Sequence, residues 1–297
     1  MLKQMVKQNK TPLITQKLAR QLLPDRPTEG HKYSFGQVLV IGGSYRLPGS
    51  VAMTCEAALA TGVGAVTLAA PESVMNSGVV LAEVMRLPLS ESASGTLDAG
   101  SWRELAKEDL SKFSAVAIGP GMGWEPDSQE FLAVALPVLL KLKKPLVLDA
   151  DALNCLSLRL VALNDSVVIT PHIGEAQRLI GTDEHLSTTE MVKELRDEYG
   201  ATVVLKSAHT LVAGDDNQIW KNTTGNSALA TAGTGDVLTG IIAALLAQGC
   251  TPLAAAQLGV YLHGKAGELA GSEYTQYGVR AGLLSGFLAP GLKTLTQ

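Results

Sequence analysis

What this chain is short of narrows its chemistry. It has three cysteines in 297 residues, Cys55, Cys155 and Cys250. They are scattered and lack CxxC spacing, which argues against a disulfide framework or a thiolate zinc site. Small core residues in a reducing compartment fit better. The five histidines show no HxxxH or HExxH spacing, so no histidine metal site is indicated. There is no basic excess. A net charge of -4 and a pI near 5.8 leave no electrostatic footprint for nucleic acid. No apolar run reaches the roughly 18 residues of a membrane span. The start, Met1 to Pro24, is basic and free of acids but lacks the apolar block of a signal peptide. A transit peptide would be richer in Arg and Ser, whereas the polar residues here are mostly Lys and Gln. A cytoplasmic location is expected.

Hydrophobic residues make up 46% of the chain and charged residues 18%, enough apolar material for a large core. Residues 1–36 read as an N-terminal arm, with a helical piece over Thr15–Leu23 and a break at Pro24 and Pro27. From residue 37 to 297 strand and helix signals alternate. Strands are expected at Gln37–Ile41, Ala65–Ala70, Ala115–Ile118, Pro145–Leu148, Val167–Thr170 and Thr202–Leu205, with short ones around Thr210–Ala213 and Gln218–Lys221. Helices are expected at Ser50–Thr61, Phe131–Leu142, Gly235–Gln248, Leu253–Ala270 and Val279–Leu288. Short, continuously apolar strands alternating with helices imply an α/β domain, its mostly parallel sheet covered on both faces. No low-complexity linker or repeat divides it. Ligands of such sheets sit at the carboxyl ends of the strands, where Gly, Ser, Asp, His and Lys cluster here.

The strongest motif is the stretch from Asn226 to Gly240, a Gly233-Thr234-Gly235 turn running into a long apolar helix with Asp236 in its first turn. Free N–H groups and the helix dipole make such a turn an anion cradle. Asp236 would repel an anion that is merely held. It is well placed if a hydroxyl must lose a proton while attacking a phosphoryl group; the plain alternative is an ordinary acid in a first helical turn. Gly42-Gly43-Ser44 and Pro48-Gly49-Ser50 are ligand turns or simple tight turns. Gly119-Pro120-Gly121-Met122-Gly123 is not the GxGxxG fingerprint, yet it allows close approach by a flat or phosphorylated ligand. Asp149 could hold Mg²⁺ through water, while Asp151 reads as a helix cap acting with Asn154. His172 ends a strand and faces the cleft, with Glu175 in a following helical turn. Lys206 could pair with a nucleotide phosphate, the Ser207–Thr210 turn supplying further donors. Gly259-x4-Gly264-Lys265 imitates a Walker A motif, but Ala266 follows and the run lies in a helical pattern.

Six of these segments, in this order, resemble the ADP/ATP-dependent NAD(P)H-hydrate dehydratases of the ribokinase-like superfamily. They are Val40–Ser44, Ala117–Gly123, Leu148–Asn154, Ile169–Glu175, Leu205–Thr210 and Ala232–Leu238. The resemblance runs from about Pro24 to Phe287, and Thr170-Pro171-His172-x-Gly174-Glu175 separates this family from sugar kinases. It implies a ribokinase-like fold and a repair lyase that returns (6S)-NADHX and (6S)-NADPHX to NADH and NADPH, spending ADP or ATP with Mg²⁺. It implies that Asp236 is the base and Gly233, Thr234 and Gly235 the anion hole. Lys206, Ser207, Ala208, His209, Thr210 and Gly235 would contact the nucleotide. Ser50, Gly123, His172 and Asp236 would contact the hydrated cofactor. Two positions depart from the pattern: Tyr33 stands where glycine is expected, and Ser50 where alanine is usual. The short start implies the stand-alone form, with the epimerase on a separate protein, and a homo-oligomer, a tetramer, is expected. The rival readings are a small-molecule kinase of the same superfamily acting on a thiazole or pyrimidine alcohol, and a non-catalytic nucleotide sensor.

Overall fold

The computed structural model describes residues 11–158, 161–182 and 185–297. Among the described residues ten strands make one sheet: β1 (Leu13–Ile14), β2 (Gln37–Ile41), β3 (Ala65–Pro71), β4 (Met85–Leu89), β5 (Ala115–Ile118), β6 (Leu146–Leu148), β7 (Val167–Ile169), β8 (Thr202–Leu205), β9 (Leu211–Ala213) and β10 (Ile219–Asn222). Their order is β1-β10-β9-β8-β7-β6-β5-β2-β3-β4. Only the β8–β9 and β9–β10 pairs are antiparallel. The helices are α1 (Gln16–Leu22), α2 (Pro48–Ala60), α3 (Glu72–Asn76), α4 (Ala99–Leu105), α5 (Pro126–Lys141), α6 (Asp151–Leu156), α7 (Ile173–Ile180), α8 (Thr188–Tyr199), α9 (Thr234–Ala247), α10 (Pro252–Gly278, broken at Thr275) and α11 (Ala281–Thr296).

Strand side chains alternate between two cores. Val38 and Val40 of β2 join Val66, Leu68, Ala115 and Ala117 beneath α2, α9, α10 and α11. Leu39 and Ile41 join Val116, Ile118, Leu146 and Leu148 beneath α4 to α8. With both faces covered, the strands can be apolar throughout, as expected for a mainly parallel sheet. The helices α2 and α9 touch where Gly240 has no side chain, since a Cβ there would stand 2.2 Å from the Thr54 carbonyl oxygen.

From β2 the chain order runs outward through β3 and β4 on one side and from β5 through β8 on the other. The switch point thus lies between β2 and β5, where open α/β sheets bind ligands. Residues 11–36 do not stand off as an arm. Leu13–Ile14 pairs in parallel with Lys221–Asn222, and Ile14 and Ala19 are fully buried. Met1 to Lys10 of the expected arm lie outside the described residues. The Walker-like run lies within α10, with Lys265 paired to Glu268 at 3.1 Å. Among the described residues no helix is long and apolar enough to cross a membrane.

Candidate active site

Five strand ends and one helix start converge at the switch point. The helix start is Gly233, in left-handed conformation (φ 92°), with no side chain capping α9. Asp236 is thereby held in the first turn of α9, among amides left to a ligand. Burial, then the neighbouring Asp149 carboxylate, raise its carboxyl to about 7; a hydrogen bond from the Ser50 hydroxyl and the charge of Lys206 pull the other way. Asp236 therefore exchanges its proton near neutrality, which suits a general base.

Asp149, at the end of β6, is 1% exposed and committed on both oxygens. Lys206 Nζ donates to Oδ1 at 2.7 Å, and Thr239 Oγ1 donates to Oδ2 at 2.6 Å. Ala150, between the two aspartates, has φ +49°. This left-handed kink, costly for a non-glycine residue, lies between two aspartates with separate partners. Asp151 does not cap α6, as its spacing to Asn154 suggests; Ala150 holds the cap position without a side-chain bond. Instead Asp151 Oδ2 accepts from the Gly123 amide at 2.8 Å and Oδ1 from Asn154 at 3.2 Å. Two glycines of the 119–123 run serve the chain itself. A Cβ on Gly119 would lie 2.0 Å from the Asp149 carbonyl oxygen, and one on Gly121 would lie 2.8 Å from the Ser50 Cβ. Gly123 is the one fixed by Asp151.

The ends of β7 and β8 are bridged in register at His172 and Lys206, and the Lys206 amide donates to the Pro171 carbonyl at 2.8 Å. His172 Nδ1 accepts from the Gly174 and Glu175 amides at 3.0 and 3.3 Å. Glu175 returns the contact by accepting from the His172 amide at 2.7 Å. The network thus assigns the ring hydrogen to Nε2, and burial with the Lys206 and Arg178 charges lowers its affinity for a second proton. Burial raises the Glu175 carboxyl even with Lys206 3.8 Å away. Burial works against the Lys206 charge, but Asp149 and Glu175 outweigh it and hold the ammonium above its ordinary range.

Beside Lys206 lies a cavity of about 520 Å³ walled by Ser207, Ala208, Thr210, Asn222, Thr224, Asn226, Thr234, Gly235 and His263, among others. His209 is exposed and is not part of that wall. Gly235 joins the two halves of the site, since a Cβ there would be 3.3 Å from Lys206 Nζ. Sequence reasoning missed Thr239 and His263. Thr239 falls three residues after Asp236, on the same helix face, a spacing that could have flagged it. His263 is half-buried, its Nε2 atom buried and without a hydrogen-bond partner, and desolvation lowers it to about 4. Burial pushes all three thiols up, Cys155 to about 12 and Cys250 to about 11, which disfavours the thiolate form.

The Mg²⁺ fit is poor for a protein-held ion. Among the described residues no three His, Cys, Asp or Glu side chains form a cation cage, and both Asp149 oxygens already accept hydrogen bonds.

Fold and site together define a ribokinase-like α/β protein. The solved structure of a ribokinase-like superfamily protein from Enterococcus faecalis V583 is similar with a TM-score of 0.82, at 27% identity and 96% coverage of both chains. Within that class, the family model for NAD(P)H-hydrate dehydratase matches residues 38–289, and the chain belongs to this family. A solved ADP/ATP-dependent NAD(P)H-hydrate dehydratase from Bacillus subtilis, co-crystallised with ATP/Mg²⁺, is 30% identical with a TM-score of 0.80, covering 97% of this chain and 99% of that one. The ADP-dependent (S)-NAD(P)H-hydrate dehydratase of Neisseria meningitidis serogroup B is 36% identical over 280 residues, 91% of this chain and 88% of that protein. The bifunctional NAD(P)H-hydrate repair enzyme of Moorella thermoacetica is 39% identical over 292 residues. That match takes in 96% of this chain, yet the chain spans about half the length of that and other bifunctional relatives.

Proposed function

We propose that this chain dehydrates (6S)-NADHX and (6S)-NADPHX to NADH and NADPH, spending the terminal phosphate of ADP or ATP. The observation that carries this reading is Asp236, poised near neutrality at the uncapped start of α9 between Ser50 and the nucleotide-sized cavity. Asp236 accepts the proton of the ring C6 hydroxyl as that oxygen attacks the terminal phosphorus. The Gly233–Gly235 turn and Lys206 offset the charge on the moving phosphoryl group. The ring nitrogen lone pair then expels phosphate with cleavage of the C6–O bond. Loss of a C5 proton restores the double bond, so one phosphate leaves for each cofactor repaired. Ser50, Gly123 and His172 line the acceptor side, with His172 Nε2–H as donor. Lys206, Ser207, Ala208, Thr210 and Gly235 take the nucleotide. Mg²⁺ would travel with the nucleotide phosphates, and no protein side chain needs to hold it. An epimerase activity acting on the other hydrate isomer would feed the same site. A cytoplasmic homotetramer completes the proposal, and light scattering checks its mass.

The test is recovery of NADH near-ultraviolet absorbance from hydrated NADH with Mg²⁺ and ADP or ATP in parallel. Nucleotide-dependent recovery is expected, the faster nucleotide being the donor. No recovery from folded, nucleotide-binding protein would sink the reading and favour a small-molecule kinase.

A further inference from the structure

Two exposed aromatic residues follow the strands that flank the acceptor side of the site. Tyr45 is 72% exposed and Trp124 is 51% exposed. The chain has only three tryptophans. Trp102 is buried against Phe131, and Trp220 donates its indole N–H to Asp216 at 2.7 Å. Among the described residues neither Tyr45 nor Trp124 stacks on another ring.

Their backbones are fixed and adjacent. Tyr45 follows β2 and Trp124 follows β5, the strands flanking the switch point. The loops meet where the Gly43 amide donates to the Pro120 carbonyl at 2.8 Å. A third segment fastens both: the Tyr45 amide donates to the Gly95 carbonyl at 2.9 Å, and the next residue, Thr96, abuts Gly123. Gly123 is itself held by Asp151 at 2.8 Å. Rigid loops that hold bare aromatic faces to solvent are the anatomy of a binding surface, because little freedom is lost when a ligand stacks.

We infer that Tyr45 and Trp124 form a stacking platform for the flat base at the far end of the dinucleotide substrate, the adenine of hydrated NADH or NADPH. The inference rests on the dehydratase reading. With the reacting ring at Asp236 and Ser50, the rest of a dinucleotide leaves the cleft past these loops. Every base offers a π face, and aromatic side chains stack on it without further chemistry. Arg46, exposed beside Tyr45, puts a cation near the pyrophosphate.

The test compares hydrated NADH with hydrated reduced nicotinamide mononucleotide, which keeps the reacting ring and lacks the adenine. Tyr45→Ala and Trp124→Ala should each lower kcat/KM for hydrated NADH at least about fivefold. Turnover of the mononucleotide should be the same in the variants as in the parent, and Trp124→Phe should restore most of the loss. Equal losses on both substrates, or no loss on either, overturn the platform. So does a variant whose light-scattering mass falls, which would assign the rings to contact between copies. A parent that turns over neither substrate refutes the dehydratase reading instead. Tryptophan emission then decides the platform alone. With ADP saturating its own site, NAD⁺ should quench Trp124 and nicotinamide mononucleotide should not; equal quenching by both, or none, rejects it.

Discussion

Replacing Asp236 with asparagine should kill the enzyme and strengthen the fold. The side chain keeps its shape but loses the base, so turnover should fall by about 10²–10⁴. Nucleotide binding should survive, because the α9 turn and Lys206 are untouched. The stability effect follows from the raised carboxyl. Its affinity for protons is higher in the folded state, about 7 against an ordinary 3.8, so ionising it destabilises the native protein. That penalty is absent below the unfolded value, grows as pH climbs from about 4 to 7, and is complete above the folded one. At about 1.4 kcal/mol for each pH unit, it reaches on the order of 2–4 kcal/mol once solvent screening is allowed for. For a domain of this size that amounts to about 3–6 °C in Tm. Thermal unfolding of parent and Asp236→Asn, ligand-free, at pH 4 and pH 8 measures it. The variant should melt higher at pH 8 and equally at pH 4. A variant no more stable than the parent at pH 8 would refute the claim that Asp236 is held in an unfavourable charged state.

Ser50→Ala removes the hydroxyl that favours the Asp236 carboxylate, so the acid limb of the kcat–pH profile should move above 7, with activity regained at higher pH. An unmoved limb would disconnect Ser50 from the base. Lys206→Met leaves Asp149, 1% exposed, with Thr239 as its remaining side-chain donor among the described residues. Denaturant melts should show a loss of about 3 kcal/mol, and the KM for nucleotide should rise at least about tenfold by loss of a charge-assisted contact. Gly240→Ala pushes a methyl toward the Thr54 carbonyl oxygen, 2.2 Å away. The urea midpoint should drop by the equivalent of about 2–4 kcal/mol with m unchanged.

The parts of this fold that could be read from the chain are those where local pattern and burial agree. Strands β2, β3 and β5 are mostly apolar runs, and β2 and β5 end in glycine turns, so their place in a doubly covered sheet was legible. The edges were not. Leu13–Ile14 is two residues long, and β4 carries Pro88 and exposed Met85, so neither has the signature of a strand. The same division runs through the site. Asp236 was legible because turn, helix and acid are contiguous. The Asp149–Lys206 pair joins residues 57 apart, and only the parallel pairing of β6 with β7 and of β7 with β8 brings their strand ends to one side of the sheet. Asp151 looked like a cap by spacing alone; its partner, the Gly123 amide, is 28 residues away. Thr239 offers only its three-residue spacing from Asp236, and His263 carries no local pattern, since their importance comes from what α9 and α10 pack against.

The pairing of Leu13–Ile14 with β10 has a practical side. That short strand occupies hydrogen-bonding groups that would otherwise form an open sheet edge, the usual starting point for strand-to-strand aggregation. It also braces a wall of the nucleotide cavity. Asn222 pairs with Ile14 and lines the cavity, and the Thr223 hydroxyl donates to the Ile14 carbonyl at 2.6 Å. A recombinant version trimmed to begin after Ile14 would therefore lose solubility and nucleotide affinity together, though every proposed site residue would still be present.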